Sequence, residues 1–135
     1  IVDENNPELS RIFLQNDSQA EDGNLYSGEI YNLHLNANLV TLSACQTGLG
    51  KISKGEGVIG LSRALVYAGA KNIIVSFWSV ADESTAELMT GFYQTLLQNK
   101  DASFTAVLRS AKLKQIRKGK YAAPYYWAPF ILIGY

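Results

Sequence analysis

The residue whose type and setting best suit nucleophilic chemistry is Cys45. It follows the apolar run Asn38 to Ala44 and precedes Gln46-Thr47-Gly48-Leu49-Gly50. A short run that is apolar at nearly every position reads as a strand covered on both faces. A thiol just past such a strand sits at the carboxyl edge of a sheet, where open α/β proteins bind ligands. The glycine-containing turn leaves backbone N–H groups free, which favour a thiolate and can stabilise a developing oxyanion. The same position also suits a small hydrophobe closing a strand, and both readings stand at this level.

A thiolate normally needs a base, and the single histidine is His34. It precedes the strand that carries Cys45, which puts it at the opposite, amino end, so it reads as a turn histidine. The Ser79 to Glu83 turn follows a second apolar run, Asn72 to Val80, and brings Ser79, Asp82 and Glu83 to the carboxyl edge expected for Cys45. Asp82 and Glu83 there form an acidic subsite for a basic side chain, or else serve the helix that follows, with Asp82 or Ser84 as its cap. The capping reading is favoured, and one residue can serve both roles.

Gly55-Glu56-Gly57-Val58-Ile59-Gly60 has the form of a dinucleotide-binding loop, with an acid, Asp82, after the next strand. The stretch Cys45 to Lys54 separates it from its strand, however, where a phosphate loop should follow directly. Glycines that let a helix start pack close to a sheet are the better explanation. Lys112, Lys114, Arg117, Lys118 and Lys120 crowd the end of a later helix, where cations complement the helix dipole. Tyr121, Tyr125, Tyr126 and Trp127 around Pro124 read as a packed corner.

The elements that must position these residues are visible in the patterning. Val58, Leu61, Leu65 and Ala68 recur at helical spacing between the two apolar runs, and Gly69 stands where a left-handed cap would end that helix. This predicts two neighbouring parallel strands joined by a right-handed helical crossover. A second helix from Asp82 has Met89, Phe92, Tyr93, Leu96 and Leu97 on its stripe. A third follows Ser103, burying Phe104, Val107, Leu108 and Ala111 and stopping near Gly119. The last strand is predicted over Trp127 to Ile133, with Pro129 marking an edge or a bulge. Upstream, Arg11 to Leu14 reads as a short strand, Asp22-Gly23 as a turn, and Ser27 to Leu33 as one amphipathic helical stretch.

Composition bounds the function. The chain has 135 residues, 47% hydrophobic, which suits one domain with a continuous core. Twelve Lys and Arg balance twelve Asp and Glu, so no global field draws it to nucleic acid or an anionic membrane. The longest apolar runs fall short of the roughly 20 residues that span a bilayer. A single cysteine favours a reducing compartment or a catalytic thiol, and a cytoplasmic location is expected. The chain begins with Ile1 and no basic or signal-like segment, which suggests a fragment of something longer.

With these elements in place the sequence resembles the C-terminal part of a CHAT domain, a caspase-like cysteine peptidase module usually found behind tetratricopeptide repeats. The resemblance runs through Leu39-Val40-Thr41-Leu42-Ser43-Ala44-Cys45-Gln46-Thr47-Gly48, Gly55-Glu56-Gly57 to Tyr67-Ala68-Gly69-Ala70, Ser76-Phe77-Trp78-Ser79-Val80-Ala81-Asp82 and Pro124-Tyr125-Tyr126-Trp127-Ala128-Pro129-Phe130. It implies a caspase-like three-layer α/β sandwich with a mostly parallel sheet, of which residues 1–135 are an incomplete C-terminal portion of one domain. It further implies that Cys45 is the nucleophile of a Cys-His dyad in a bacterial-type endopeptidase. The histidine would come from a His-Gly element upstream, and His34 matches a variable position. Related peptidases that cut after Lys or Arg place acids near the strand end that carries Asp82, while Ser79 stands where separase-like sequences carry an acid. The implied partners are a protein or peptide substrate, the upstream segment that supplies the histidine, and a tetratricopeptide repeat region. No cofactor or metal is implied. A non-catalytic caspase-like scaffold is the alternative, and a dinucleotide-binding domain a weaker one.

Overall fold

The computed structural model describes residue 3 and residues 5–15, 22–43 and 56–134. The chain divides into two compact units, Ile1–Ser79 with Ile133–Tyr135, and Val80–Leu132.

In the first unit a single 3-10 turn, Pro7–Leu9, leads to an antiparallel pair, β1 (Arg11–Phe13) and β2 (Asn24–Tyr26), with Arg11 opposite Tyr26. The Asp22-Gly23 turn is present, and Asp22 Oδ1 accepts from the Asn24 N–H. One helical turn, α1 (Ser27–Ile30), follows, and its fully buried Ile30 is part of the core. The predicted helical stretch to Leu33 therefore stops early. The strand β2 was not legible because it is three residues long and half-buried throughout.

The centre of this unit is β3 (Val40–Leu42) beside β4 (Asn72–Ser76), with α2 (Glu56–Tyr67) between them in sequence. The two strands are parallel, as predicted, with Val40 opposite Ile73, Thr41 opposite Ile74 and Leu42 opposite Val75. An isolated parallel bridge between Ala37 and Ala70 extends the same register. α2 buries Leu61, Ala64 and Leu65, and Ala68 just beyond its end is buried too. It ends in a Schellman motif, in which Ala70 N–H donates to Leu65 O and Gly69 N–H to Val66 O. Gly69 has φ 105°, and a Cβ there would collide with the Leu35 carbonyl oxygen. That carbonyl is held close because Leu35 N–H donates to Ala68 O.

Both strands were expected to be covered on both faces, and only β4 is. Its five residues are all buried, whereas β3 is half-buried. The strand order β3-β4-β5, with β5 at Phe130–Gly134, explains this, because β4 is central and β3 is an edge. β4 also stops at Ser76, short of the predicted Val80: Ser76 Oγ donates to Trp78 O at 2.6 Å and turns the chain. At the end of β5, Gly134 has φ 138°, and a Cβ there would lie 2.5 Å from Lys71 O and 2.6 Å from Asn72 Oδ1.

In the second unit α3 (Asp82–Gln98) packs on α4 (Phe104–Lys118), which Ser103 caps by accepting from Ala106 N–H and Gly119 ends. α4 buries Val107, Leu108 and Ala111, as the pattern predicts, whereas Phe104 in its first turn is only half-buried, and it also buries Gln115, which the pattern did not predict. The α3 stripe is displaced from the predicted one. Ser84, Leu88, Met89, Gly91 and Phe92 are buried, while Tyr93 is 40% and Leu97 75% exposed. Gly91 lies on the buried side of α3 and faces Ala111 of α4. The predicted strand from Trp127 begins three residues late. Pro124 starts a helical turn, α5 (Pro124–Trp127), closed by Ala128 N–H to Pro124 O, and Pro129 has no N–H to give a ladder.

Gly69→Ala and Gly119→Ala place the same side chain at positive φ, but only the first meets an obstacle, since nothing lies within 4 Å of a Cβ at Gly119. Denaturant titration should show a loss of about 1 kcal/mol for Gly119→Ala and upward of about 3 kcal/mol for Gly69→Ala. Equal losses would contradict the close approach of Leu35 to the helix end.

Candidate functional site

Parallel pairing with Leu42 opposite Val75 makes β3 and β4 end side by side. The chain therefore leaves Ser43 and Phe77 from one carboxyl edge of the sheet, the edge at which α/β folds hold ligands. Cys45, together with Gln46 to Gly50 and Gly55, lies outside the described residues. Ser79 is exposed at the end of the segment that leaves β4. His34 is exposed on the segment that leads into β3, at the strand's amino end, as expected for a turn histidine. In the glycine motif α2 begins at Glu56, so Gly57 and Gly60 are inside the helix.

Asp82 and Glu83 open α3 in the second unit, and both are exposed. The expectation that the Asp82 or Ser84 side chain caps this helix is not met. Ala81 holds the cap position with no side-chain bond, and Ser84 Oγ instead donates to Ala81 O at 2.8 Å. Asp82 is the first helical residue, and a carboxylate already in the helix cannot fold back onto the second- and third-position amides as a cap does. Its charge is still favoured there by the helix dipole.

Glu83 has other work. Tyr121 Oη donates to Glu83 Oε2 at 2.6 Å, and Lys120 Nζ donates to the same oxygen at 3.2 Å. The hydroxyl bond first, then the lysine bond and charge, hold the Glu83 carboxyl below its ordinary value. Lys120 is raised in turn by Tyr121 first and then by Glu83, and stands 4.9 Å over the Tyr121 ring. Tyr121 packs on Tyr126 at 5.1 Å and Tyr126 on Tyr125 at 5.5 Å, the aromatic corner that the sequence suggested. Exposed ion pairs stabilise little, so Glu83 mainly orients this corner.

The basic cluster divides into separate tasks. Lys112 Nζ donates to Phe130 O at 2.5 Å and lies 6.0 Å from the Trp127 ring, and burial lowers its pKa. Lys118 pairs with Glu87 at 2.8 Å. Gln115 is the polar residue that sequence reasoning missed. It continues the apolar stripe of Val107, Leu108 and Ala111, so a lone amide in line with that stripe was the available signal.

The sequence profile of the CHAT domain matches residues 1–135. The chain belongs to the CHAT domain family. Among curated proteins it is similar to human tetratricopeptide repeat protein 28, with 34% identity over 110 residues, 82% of this chain. The mouse protein of the same name is 32% identical over the same length. The aligned region is 4% of each relative's length. No solved structure matches. Membership relates this CHAT chain to the caspase-like peptidases, and its α/β composition is consistent with an incomplete portion of such a fold. Among the described residues no helix is long and apolar enough to cross a membrane.

Because the folded carboxyl of Glu83 is depressed, its contribution to stability is present above the ordinary value of 4.5 and is lost as pH falls through the lower folded value. Carboxyl-carbon NMR titration should place the Glu83 midpoint below 4.5, and Tyr121→Phe should move it upward. A midpoint that ignores the substitution would show that Tyr121 does not hold this carboxylate.

Proposed function

We propose that residues 1–135 are the nucleophile-bearing C-terminal part of a single CHAT domain that works as a cysteine endopeptidase. The observation that carries the reading is the parallel β3–β4 pair, which ends side by side, with Cys45 following β3 in sequence and Ser79 following β4. Family membership supports it. The Cys45 thiolate attacks the scissile carbonyl carbon, and the oxyanion is held by backbone N–H donors. The C–N bond then breaks, the amine leaves with a proton from the dyad histidine, and water hydrolyses the thioester. His34 does not take that role, and the histidine belongs to a His-Gly element outside these 135 residues.

In this reading Asp82, Glu83 and Ser79 meet the side chain that precedes the scissile bond. Asp82 carries most of a mild preference for Lys or Arg, since its carboxylate is not engaged in capping, whereas Glu83 is held by Tyr121 and Lys120. A tetratricopeptide repeat region in the parent protein and a reducing, cytoplasmic setting complete the proposal. The repeat region is supported by the names of the similar proteins, and the setting by the single cysteine.

Two assays test this. A protein that extends the chain upstream through the His-Gly element should cleave a peptide library after activation, and Cys45→Ala should reduce turnover by about a thousandfold or more, because dyad members act as a unit. The 135-residue chain alone should be inactive. Cleavage that survives Cys45→Ala removes the nucleophile, and an extended protein with no activity under any condition favours a non-catalytic scaffold. In the same library Asp82→Asn should weaken cleavage after Lys and Arg while leaving apolar positions unchanged. An apolar preference in both proteins would take Asp82 out of the substrate site.

A further inference from the structure

The hairpin of β1 and β2 has two outer edges, and only one of them is closed. Leu14 N–H donates to Gly23 O and Ser27 N–H donates to Ser10 O, so the even-numbered residues of β1 turn their main-chain groups toward β2. Strand alternation then turns the N–H and C=O of Phe13 to the other side. On β2 the same alternation points the Asn24 and Tyr26 N–H groups outward, and there Asp22 Oδ1 and Glu29 Oε2 accept them at 2.9 Å each. Among the described residues nothing bonds the outward groups of Phe13. The bare edge is also apolar. Phe13 is 57% and Leu14 56% exposed, Ile12 is half-buried, and Ile12 to Gln15 carries neither charge nor proline. Edge strands are ordinarily blunted by charge, proline or a covering element.

We propose that β1 pairs antiparallel with β1 of a second copy of this chain, about a two-fold axis at Phe13, to make a four-stranded sheet. A strand joined to its own copy must suit itself, and this one does. The Phe13 N–H and C=O bond the same groups of the second copy, and the two phenyl rings meet on one face. On the other face Ile12 lies opposite Leu14 of the second copy, and Leu14 opposite its Ile12, apolar cross-strand pairs that stabilise sheets. Arg11 falls beside a neutral Gln15, and the two Arg11 charges stand roughly 13 Å apart, beyond the screening length of physiological salt. The inference goes beyond the peptidase reading and does not depend on Cys45.

The test uses the chain with Cys45→Ala, so that only introduced thiols react. Sedimentation velocity should show a monomer–dimer equilibrium as concentration rises to about 300 μM, and Phe13→Glu should weaken it at least about tenfold without lowering the melting temperature of the dilute monomer. Should Phe13→Glu lower that temperature, Leu14→Lys gives the same loss of dimer. Leu97→Lys, at a side chain 75% exposed on α3, should leave the dimer intact. Cross-linking reads the register. Ile12→Cys chains mixed with Leu14→Cys chains should form a mixed disulfide at least about tenfold faster than either forms one with itself, because opposite positions come within bridging distance and like positions are offset by two residues. A monomer at every concentration, a dimer that survives both β1 substitutions or is lost equally with Leu97→Lys, or like-with-like disulfides as fast as mixed ones would each overturn the proposal.

Discussion

The first unit depends on one close approach. The last turn of α2 must pass against the backbone at Leu35 so that the chain entering β3 and the chain entering β4 run side by side. Leu35 N–H to Ala68 O and Lys71 N–H to Ala37 O tie the two segments together before either becomes a strand. Only a residue without a Cβ fits at position 69, and its positive φ also closes the Schellman turn. From there the register runs unchanged through Val40 and Ile73 to Leu42 and Val75. The carboxyl edge beyond those residues is thus set by a glycine at the opposite end of the strands.

In the second unit polar caps end the helices around a core of Leu88, Phe92, Val107, Leu108 and Phe130. Ser103 starts α4, Gly119 ends it, and Gly91 of α3 faces Ala111 of α4.

Much of the fold was legible because its signals are local. Gly69 as a left-handed cap, a helix beginning after Ser103 and the two apolar runs as parallel neighbours all follow from short-range sterics and periodicity. What the sequence hid depends on tertiary neighbours. The edge position of β3 lowers its burial, the Ser76 hydroxyl ends β4, and Pro129 sits before β5 because Pro124 begins a helical turn. For the candidate site, the sequence placed Asp82 and Glu83 at the start of a helix, but their different surroundings were not legible. A cap and an exposed first-turn acid differ by one residue of backbone conformation, and the Glu83 partners Tyr121 and Lys120 lie far along the chain. Gln115 was hidden for a related reason, since one amide at the end of an apolar stripe is informative only once its burial is seen.

The claim that joins these observations is that the thiol following β3 attacks a peptide carbonyl. The direct measurement is mass spectrometry of the upstream-extended, activated protein after treatment with a peptidyl acyloxymethyl ketone bearing Lys before the reactive group. The account predicts a single adduct on the Cys45 sulfur, formed faster than with an untargeted alkylating agent and suppressed by competing substrate. An unmodified Cys45, or labelling no faster than by the untargeted agent, would contradict it.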